Sequence, residues 1–492
     1  MSIKRNTVIN LVGSVLPTAV SLITVPIYLR LIGEVRFGVL AIVWLMLGYF
    51  GIFDLGVSRA TTNQIARLRT ATPGEREQVF WTAALVNTLF GLVGGVLLYA
   101  LGATLVGRAF KMPEALRPEV IRCLPWMALA VPLATVSGVL AGVLEACQRF
   151  ATVNTIELFG SILFRIIPLS VACLHGPELR WLIISGLLAQ SASVIPMFVA
   201  TARALPLTGS GGPSRRWARR LFSYGGWVTV NNLLFPLFTS LDRLLIGAGI
   251  NAAAVTVYTV PYNLVLRFQV LPAALARTLF PRLSETTESE ATELAQRCIS
   301  TLAVITLPIM IAGTIYMEPF LSTWISRQFA ERASAVGELL IFGVWVNSLA
   351  FIPYALLQGQ GKPRIVALIH LIEAPFFAAG VWFGIRIGGV VGAAAVMSAR
   401  YVIDAFVFLY LGGVFRAIAG RVSAAGAWLI AALVLVRIGD SYLGNTYLVG
   451  TILLVASSIW ALHVEPLLLD SLARMRTRVF GILFTSKEES RA

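Results

Sequence analysis

Apolar runs of membrane-crossing length dominate this chain, and short polar interruptions separate them. The first hairpin sets the pattern. Lys4 and Arg5 precede an apolar run at Ile9–Leu29, then comes RLIGEVRFG, a second run at Val39–Phe53, and DLGVSRATTNQIARLR from Asp54. A helix needs ~20 residues to cross roughly 30 Å of hydrocarbon, and each run is near that length. The two runs are joined by an expected tight turn at Gly33–Gly38. The first six predicted spans are Ile9–Leu29, Phe37–Val57, Val79–Val106, Cys123–Leu144, Ala151–Leu174 and Trp181–Ala200. The next six are Leu221–Ile246, Val255–Phe280, Cys298–Met317, Val336–Leu357, Ile365–Ile385 and Gly389–Leu411. Ala424–Val436 and Tyr447–Leu462 complete a set of about fourteen transmembrane helices. The thirteenth is short, which leaves twelve spans plus a re-entrant or interfacial pair as the alternative.

The pattern repeats in halves. Gly13 early in span 1 matches Gly226 early in span 7, and Arg30 and Arg243 follow at the same offset. LEACQRF at Leu144–Phe150 ends span 4, and LQGQGKP at Leu357–Pro363 ends span 10. Six spans per half is an even number, so the halves share one orientation, as parallel transporter repeats do. The expected architecture is an all-α polytopic membrane protein with two pseudo-symmetric six-helix lobes around a cavity. The N-lobe covers residues 1–207, the C-lobe 208–415, and a C-terminal helix pair with a basic tail 416–492. LPLTGSGGPS at Leu205–Ser214 links the lobes, and RRWARR at Arg215–Arg220 follows it. Basic residues concentrate in the loops on the side of the N-terminus, among them Arg59, Arg67, Arg149, Arg203 and Arg215, so both termini are expected to be cytoplasmic.

Composition agrees. The 492 residues are 57% hydrophobic and only 13% charged, and the mean hydropathy is +0.82. The balance of 39 Lys+Arg against 24 Asp+Glu gives +15. These charges are scattered among apolar runs with no soluble basic domain to hold a duplex, so nucleic acid is not an expected partner. Cys123, Cys147, Cys173 and Cys298 show no paired spacing, and the three histidines are dispersed. No disulfide framework, metal site or cofactor is expected.

Chemistry must then come from polar groups inside the spans. Ionisable residues there are costly and face a wet cavity or a partner. Arg165, Arg267, Arg400 and Asp404 lie deepest. Arg165 and Arg267 lack a carboxylate one turn away, and an isolated guanidinium suits a phosphate because its planar fork binds two oxygens at once. Pairing with Glu157, Glu145 or Glu373 is the competing reading. Arg400 and Asp404, four residues apart, share a helix face, where a structural salt bridge competes with ligand contact. Arg30 and Arg243 complete the anion-binding candidates. Asn231, Asn232, Asn263 and Gln269 are candidates for sugar hydroxyls, and Asp404, Asp242, Asp54, Glu157 and Glu373 for ion coupling. No GxGxxG, P-loop, HExxH or GxSxG is present, and no loop is long enough for a globular catalytic unit. An enzyme is not expected.

Lys4–Asn6 (KRN), Gly13, Pro26–Gly33 (PIYLRLIG), Phe37–Gly38 and Asp54–Gly56 (DLG) followed by Ala60 together resemble the polysaccharide-biosynthesis flippases, Wzx-type, of the multidrug/oligosaccharidyl-lipid/polysaccharide exporter superfamily. LFPRLSE at Leu279–Glu285 and LLQGQGKP at Leu356–Pro363 are similar to its second-lobe motifs. The resemblance covers roughly Lys4 to Leu411. It implies export of a polyprenyl-diphosphate-linked oligosaccharide across the bacterial inner membrane for O-antigen, exopolysaccharide or capsule. It also implies membrane lipids, a polysaccharide polymerase and a chain-length regulator as partners. Peptidoglycan-precursor flippases carry arginines in the first span and drug exporters often a carboxylate; Ile9–Leu29 holds neither. A cation-coupled drug exporter, a peptidoglycan-precursor flippase and a membrane polymerase or ligase are the alternatives.

Overall fold

The computed structural model describes residues 3–48, 53–68, 72–104, 108, 110–205, 209, 211–360, 362–442 and 445–465. Among these, all regular structure is helical. In chain order the helices are α1 (Ile3–Gly48), α2 (Val57–Arg67), α3 (Pro73–Thr104), α4 (Arg117–Ile121), α5 (Leu124–Ala146) and α6 (Phe150–His175). Then come α7 (Leu179–Ala192), α8 (Val194–Ala204), α9 (Arg215–Gly249), α10 (Ala252–Leu266), α11 (Val270–Glu285) and α12 (Glu288–Ile315). Last are α13 (Met317–Trp324), α14 (Arg327–Gly359), α15 (Pro363–Leu411), α16 (Phe415–Tyr442) and α17 (Thr446–Val464). Nine segments among the described residues are long and apolar enough to cross a membrane. They are α3, α5, α6, α7 with α8, α12, α14, most of α15, α16 and α17. The thirteenth expected span, short in sequence, lies in a 28-residue helix, α16.

Glycines set the reversals. α1 is two helices joined at Gly33, whose φ of 75° lies in the left-handed region that a Cβ disfavours. The reversal expected over Gly33–Gly38 is thus confined to Gly33. Gly38 is helical and serves close approach instead: a Cβ there would lie 1.7 Å from the Ala252 carbonyl oxygen. α15 breaks in the same way at Gly388 and Gly389, the latter with φ 57°. The Asp-Leu-Gly of the first hairpin carries Leu55 (φ 46°) and Gly56 (φ 72°) into the left-handed region just before α2 begins.

The chain forms two compact units, Met1–Val260 with His370–Val390, and Pro261–Ile369 with Val391–Ala492. The first unit takes in α9 and the start of α10, beyond the expected boundary at 207/208. Lys111 explains part of this. Its backbone N–H donates to Gly247 O at 3.0 Å, its carbonyl accepts from Ala252 N at 3.2 Å, and its ammonium donates to Gly249 O at 2.8 Å. Thr256 Oγ1 also donates to Glu34 O at 2.7 Å. The linker is strapped to the start of α3. Gly209 N donates to Glu77 Oε1 at 3.0 Å, which also accepts from Trp81 Nε1 at 3.3 Å, and Ser214 N donates to Thr82 Oγ1 at 2.9 Å. Trp217 of RRWARR is buried, with Arg220 5.1 Å above its ring.

In the second unit α12 starts with a capping box: Thr287 Oγ1 accepts from Glu290 N, and the Glu290 carboxylate accepts from Thr287 N. Trp345 of α14 is fully buried, donating from Nε1 to Ala303 O of α12 at 3.4 Å. The C-terminal pair is fastened to this unit. Arg437 of α16 meets the buried Glu338 of α14 at 2.6 Å, Thr301 Oγ1 donates to Glu465 Oε2 at 3.1 Å, and Tyr316 and Thr451 hydroxyls are 2.8 Å apart.

Candidate functional site

A cavity of about 410 Å³ lies inside the first unit, walled by the second half of α1, by α5 and α6, and by the junction of α7 with α8. Two candidates from the sequence, Glu157 and Arg165, line it together. Both stand on α6, eight residues apart, which places them on one side of the helix and roughly 12 Å apart along its axis. Arg165 Nη1 donates to Ser161 O at 2.8 Å, so the guanidinium curls back along its own helix. The Arg165 carbonyl accepts from the buried Tyr28 hydroxyl at 2.9 Å, which ties α6 to α1.

Aromatic rings form another wall. Trp44 and Phe164 lie 5.5 Å apart between centroids, inclined at 53°, and Trp44 meets Tyr28 and Phe37 edge-on at 6.0 and 6.3 Å. The remaining polar lining is uncharged and includes Ser137, Gln190 and Ser191. At the α7–α8 junction Ser193 N donates to Gln190 O at 3.2 Å, three residues back, and Ser193 Oγ reaches the same carbonyl at 2.6 Å. This tightened turn sets Gln190 and Ser191 against the cavity. Sequence reasoning missed them, although QSAS at Gln190–Ser193 is a polar cluster inside an apolar span. Trp44 gave no such signal, because only the rotation of its helix distinguishes it from lipid-facing aromatics.

The other first-unit candidates have different surroundings. Asp54 is buried and accepts from Ser58 N (3.1 and 3.3 Å), from the Ser58 hydroxyl and from Asn87 Nδ2 (2.6 Å). Asn87 Nδ2 also reaches Thr135 O at 3.0 Å, and Thr135 Oγ1 donates back to Asn87 O at 2.9 Å. The carboxylate therefore satisfies the amino end of α2 and staples α2, α3 and α5 together. Asp242 is fully buried and accepts from the Tyr258 hydroxyl at 2.6 Å and from Arg243 N at 2.8 Å, with Arg243 Nε 3.6 Å away. Arg30 is exposed and Glu373 half-buried. The side chains of Asn231 and Asn232 lie outside the described residues.

The five remaining candidates belong to the second unit. Arg267 and Gln269 occupy a single 3-10 turn, Arg267–Gln269, between α10 and α11. Asn263 and Arg267 are exposed, and Gln269 Nε2 donates to Asn347 Oδ1 at 3.0 Å. On α15, Arg400 and Asp404 form the expected pair at 3.8 Å, with side chains 10% and 8% exposed. The shared-face reading of that pair holds.

Nine long apolar helices among the described residues, with a polar cavity set between helices of the first unit, define a multi-pass membrane protein. The chain is similar to a solved lipid II flippase, MurJ, in an inward closed conformation, with TM-score 0.69 and 12% identity over 92% of this chain and 97% of that one. An inward-facing multidrug resistance MATE family transporter matches with TM-score 0.61 and 13% identity, over 84% of this chain and 95% of that one. At such identities the likeness speaks to the fold. The chain belongs to the polysaccharide biosynthesis protein family, whose model matches residues 27–334. It is 28% identical over 412 residues to a Shigella flexneri protein described as "Putative O-antigen transporter", covering 84% of this chain and 98% of that one. It is also 24% identical over 384 residues, 73% of each chain, to the uncharacterized membrane protein EpsK of Bacillus subtilis. The family-level resemblance read from the motifs holds.

Proposed function

We propose that this protein is a flippase that carries a polyprenyl-diphosphate-linked oligosaccharide from the cytoplasmic to the periplasmic leaflet of the bacterial inner membrane, for O-antigen, exopolysaccharide or capsule assembly. The observation that carries the reading is the first-unit cavity, which sets Arg165 among hydroxyls and an amide inside apolar spans. An isolated charged headgroup crossing hydrocarbon faces a penalty that Born estimates put in the tens of kcal/mol. A polar, cationic lining replaces the water it loses while the polyprenyl tail stays in lipid. Arg165 offers the diphosphate a charged fork at any working pH. Arg267, Arg400, Arg30 and Arg243 are the further anion-binding candidates, with Asp404, Glu157 or Glu373 exchanging a coupling cation. A membrane potential negative inside favours outward movement of an anion by ~2.3 kcal/mol per charge per 100 mV. In this reading the chain has fourteen spans and cytoplasmic termini, lobes 1–207 and 208–415 alternate access, and a polymerase and chain-length regulator take over the product.

The test is the sidedness of the lipid-linked oligosaccharide in membrane vesicles from cells lacking the gene, read with a non-permeant lectin or sugar-modifying enzyme. Complete units trapped on the cytoplasmic face support the proposal. Normal periplasmic exposure, with no redundant exporter in the strain, ends it.

A further inference from the structure

The cavity's uncharged lining carries a more specific reading. The Gln190 amide and the Ser191 and Ser137 hydroxyls have no hydrogen-bond partner among the described protein groups, though all three line a cavity between apolar helices. Polar groups in such a place are satisfied by water or by a ligand, and side chains spent on helix–helix bonds would not stand open. The Ser161 and Ser193 hydroxyls, by contrast, are committed to Leu158 O and Gln190 O. The Trp44–Phe164 ring pair, inclined at 53°, lines the same cavity from α1 and α6. The lining thus combines aromatic ring surface with two hydroxyls and an amide that both donates and accepts.

That combination matches a pyranose, which has C–H-rich faces and a rim of hydroxyls. It does not match an apolar drug, which would leave the open polar groups unsatisfied; a site built to hydrogen-bond a hydroxyl rejects a ligand that lacks one. Size narrows the choice. At about 410 Å³ the cavity falls in the range of about 300–1,000 Å³ that single small-molecule ligands occupy, which suits one sugar ring beside a diphosphate and not a whole repeat unit. Charge orients the guest: Arg165 takes the anionic end, and the Glu157 carboxyl accepts hydrogen bonds from hydroxyls further along α6.

We propose that the first-unit cavity is a pyranose subsite, in which Trp44 and Phe164 form the platform for a single sugar of the cargo and Gln190, Ser191 and Ser137 read its hydroxyls. This rests on the flippase reading for the source of the sugar, and it makes Gln190 and Ser191 specificity-determining residues. The sequence candidates Asn263 and Gln269 belong to the second unit and are not part of it.

Saturation-transfer-difference NMR on the full-length protein in nanodiscs tests the subsite directly. The probes are the methyl pyranosides of glucose, galactose, mannose and N-acetylglucosamine, with inorganic pyrophosphate followed separately by thermal shift. At least one pyranoside should receive saturation at its ring protons. Gln190→Leu should weaken it roughly 2- to 10-fold, the effect of one ordinary hydrogen bond, and Ser191→Ala should add to that loss. Pyrophosphate stabilisation should survive both and weaken sharply, by roughly 10-fold or more in affinity, in Arg165→Gln. Trp44 is packed among Tyr28, Phe37 and Phe164, so Trp44→Leu is read only if the variant stays monodisperse; Gln190→Leu and Ser191→Ala break no protein bond and carry the test alone. Absence of transfer from all four pyranosides, or a signal indifferent to Gln190→Leu and Ser191→Ala, overturns the subsite. If the deletion strain traps lipid-linked units in that case, the flippase reading stands without it. If sidedness is normal in the deletion strain, the flippase reading falls and takes with it the assignment of the sugar to a lipid-linked cargo.

Discussion

Replacing Asp54 by alanine should destabilise the first unit strongly without abolishing ion dependence in whatever protein remains folded. The carboxylate accepts from three donors, the Ser58 backbone N–H, the Ser58 hydroxyl and Asn87 Nδ2, all at the point where α2 begins. Hydrogen bonds to a charged group contribute about 1.5–3 kcal/mol each, but they are not additive, and the removed carboxylate no longer needs desolvating. Loss of one partner from a buried charged network costs about 3–5 kcal/mol, which is the magnitude expected here. Asp54→Asn keeps one oxygen for the Ser58 N–H but turns an NH₂ toward groups that themselves donate, so it should cost less, about 1–2 kcal/mol. Fluorescence-detected size exclusion across a temperature series would rank wild type above Asp54→Asn above Asp54→Ala. Export per folded molecule, measured at two sodium concentrations and two pH values, would be parallel in all three. An Asp54→Asn variant with wild-type thermal stability but export that no longer responds to cation or proton concentration would refute the reasoning and make Asp54 a coupling residue.

Other consequences are equally concrete. Gly38→Ala places a methyl against the Ala252 carbonyl, which a side-chain rotation cannot relieve, and should cost about 3 kcal/mol or more in thermal unfolding. Arg437→Met strands the buried Glu338 carboxylate and should cost about 3–5 kcal/mol, most of it recovered in the Glu338→Leu/Arg437→Met double variant. Removing a charge-assisted contact with Arg165→Gln should weaken pyrophosphate binding roughly 10- to 150-fold by competition or thermal shift, with folding intact. Thr287→Ala removes the cap of α12 and should cost about 1 kcal/mol, a small but measurable shift.

Some of this was written plainly in the residues and some was not. The hairpin at Gly33 and the break at Gly388–Gly389 could be located because hydrocarbon length and glycine together leave few choices. The Arg400–Asp404 pair followed from helical spacing alone. The DLG at Asp54–Gly56 stood out as a motif, but its work is a matter of backbone angles: Leu55 and Gly56 turn the chain so that Asp54 can fold over the start of α2. That geometry has no signature in hydropathy. Arg165 stands out as a costly charge deep in a span and Glu157 as a carboxylate nearer its end, yet their shared cavity depends on how α1, α5 and α7 rotate against α6. Nothing in the hydropathy pattern separates Gln190 from amides that bond between helices, and only the three-dimensional arrangement sets it against the cavity. The short look of the thirteenth span came from Arg437 interrupting an apolar run. The helix continues through it because Glu338 supplies the counter-charge.

The strap at Glu77 also has a place in time. Gly209 and Ser214 each follow their partners, Glu77 and Thr82, by 132 residues. At a synthesis rate of 5–20 residues per second, roughly 7–26 s pass before the second half of each bond leaves the ribosome. Throughout that interval the amino end of α3 lacks two of its eventual contacts, while the helices up to α8 are already being inserted. The linker then behaves as the last-closed clasp of the first half of biogenesis. It fastens only after the spans before it are threaded, just as the arginine-rich start of α9 emerges to begin the next.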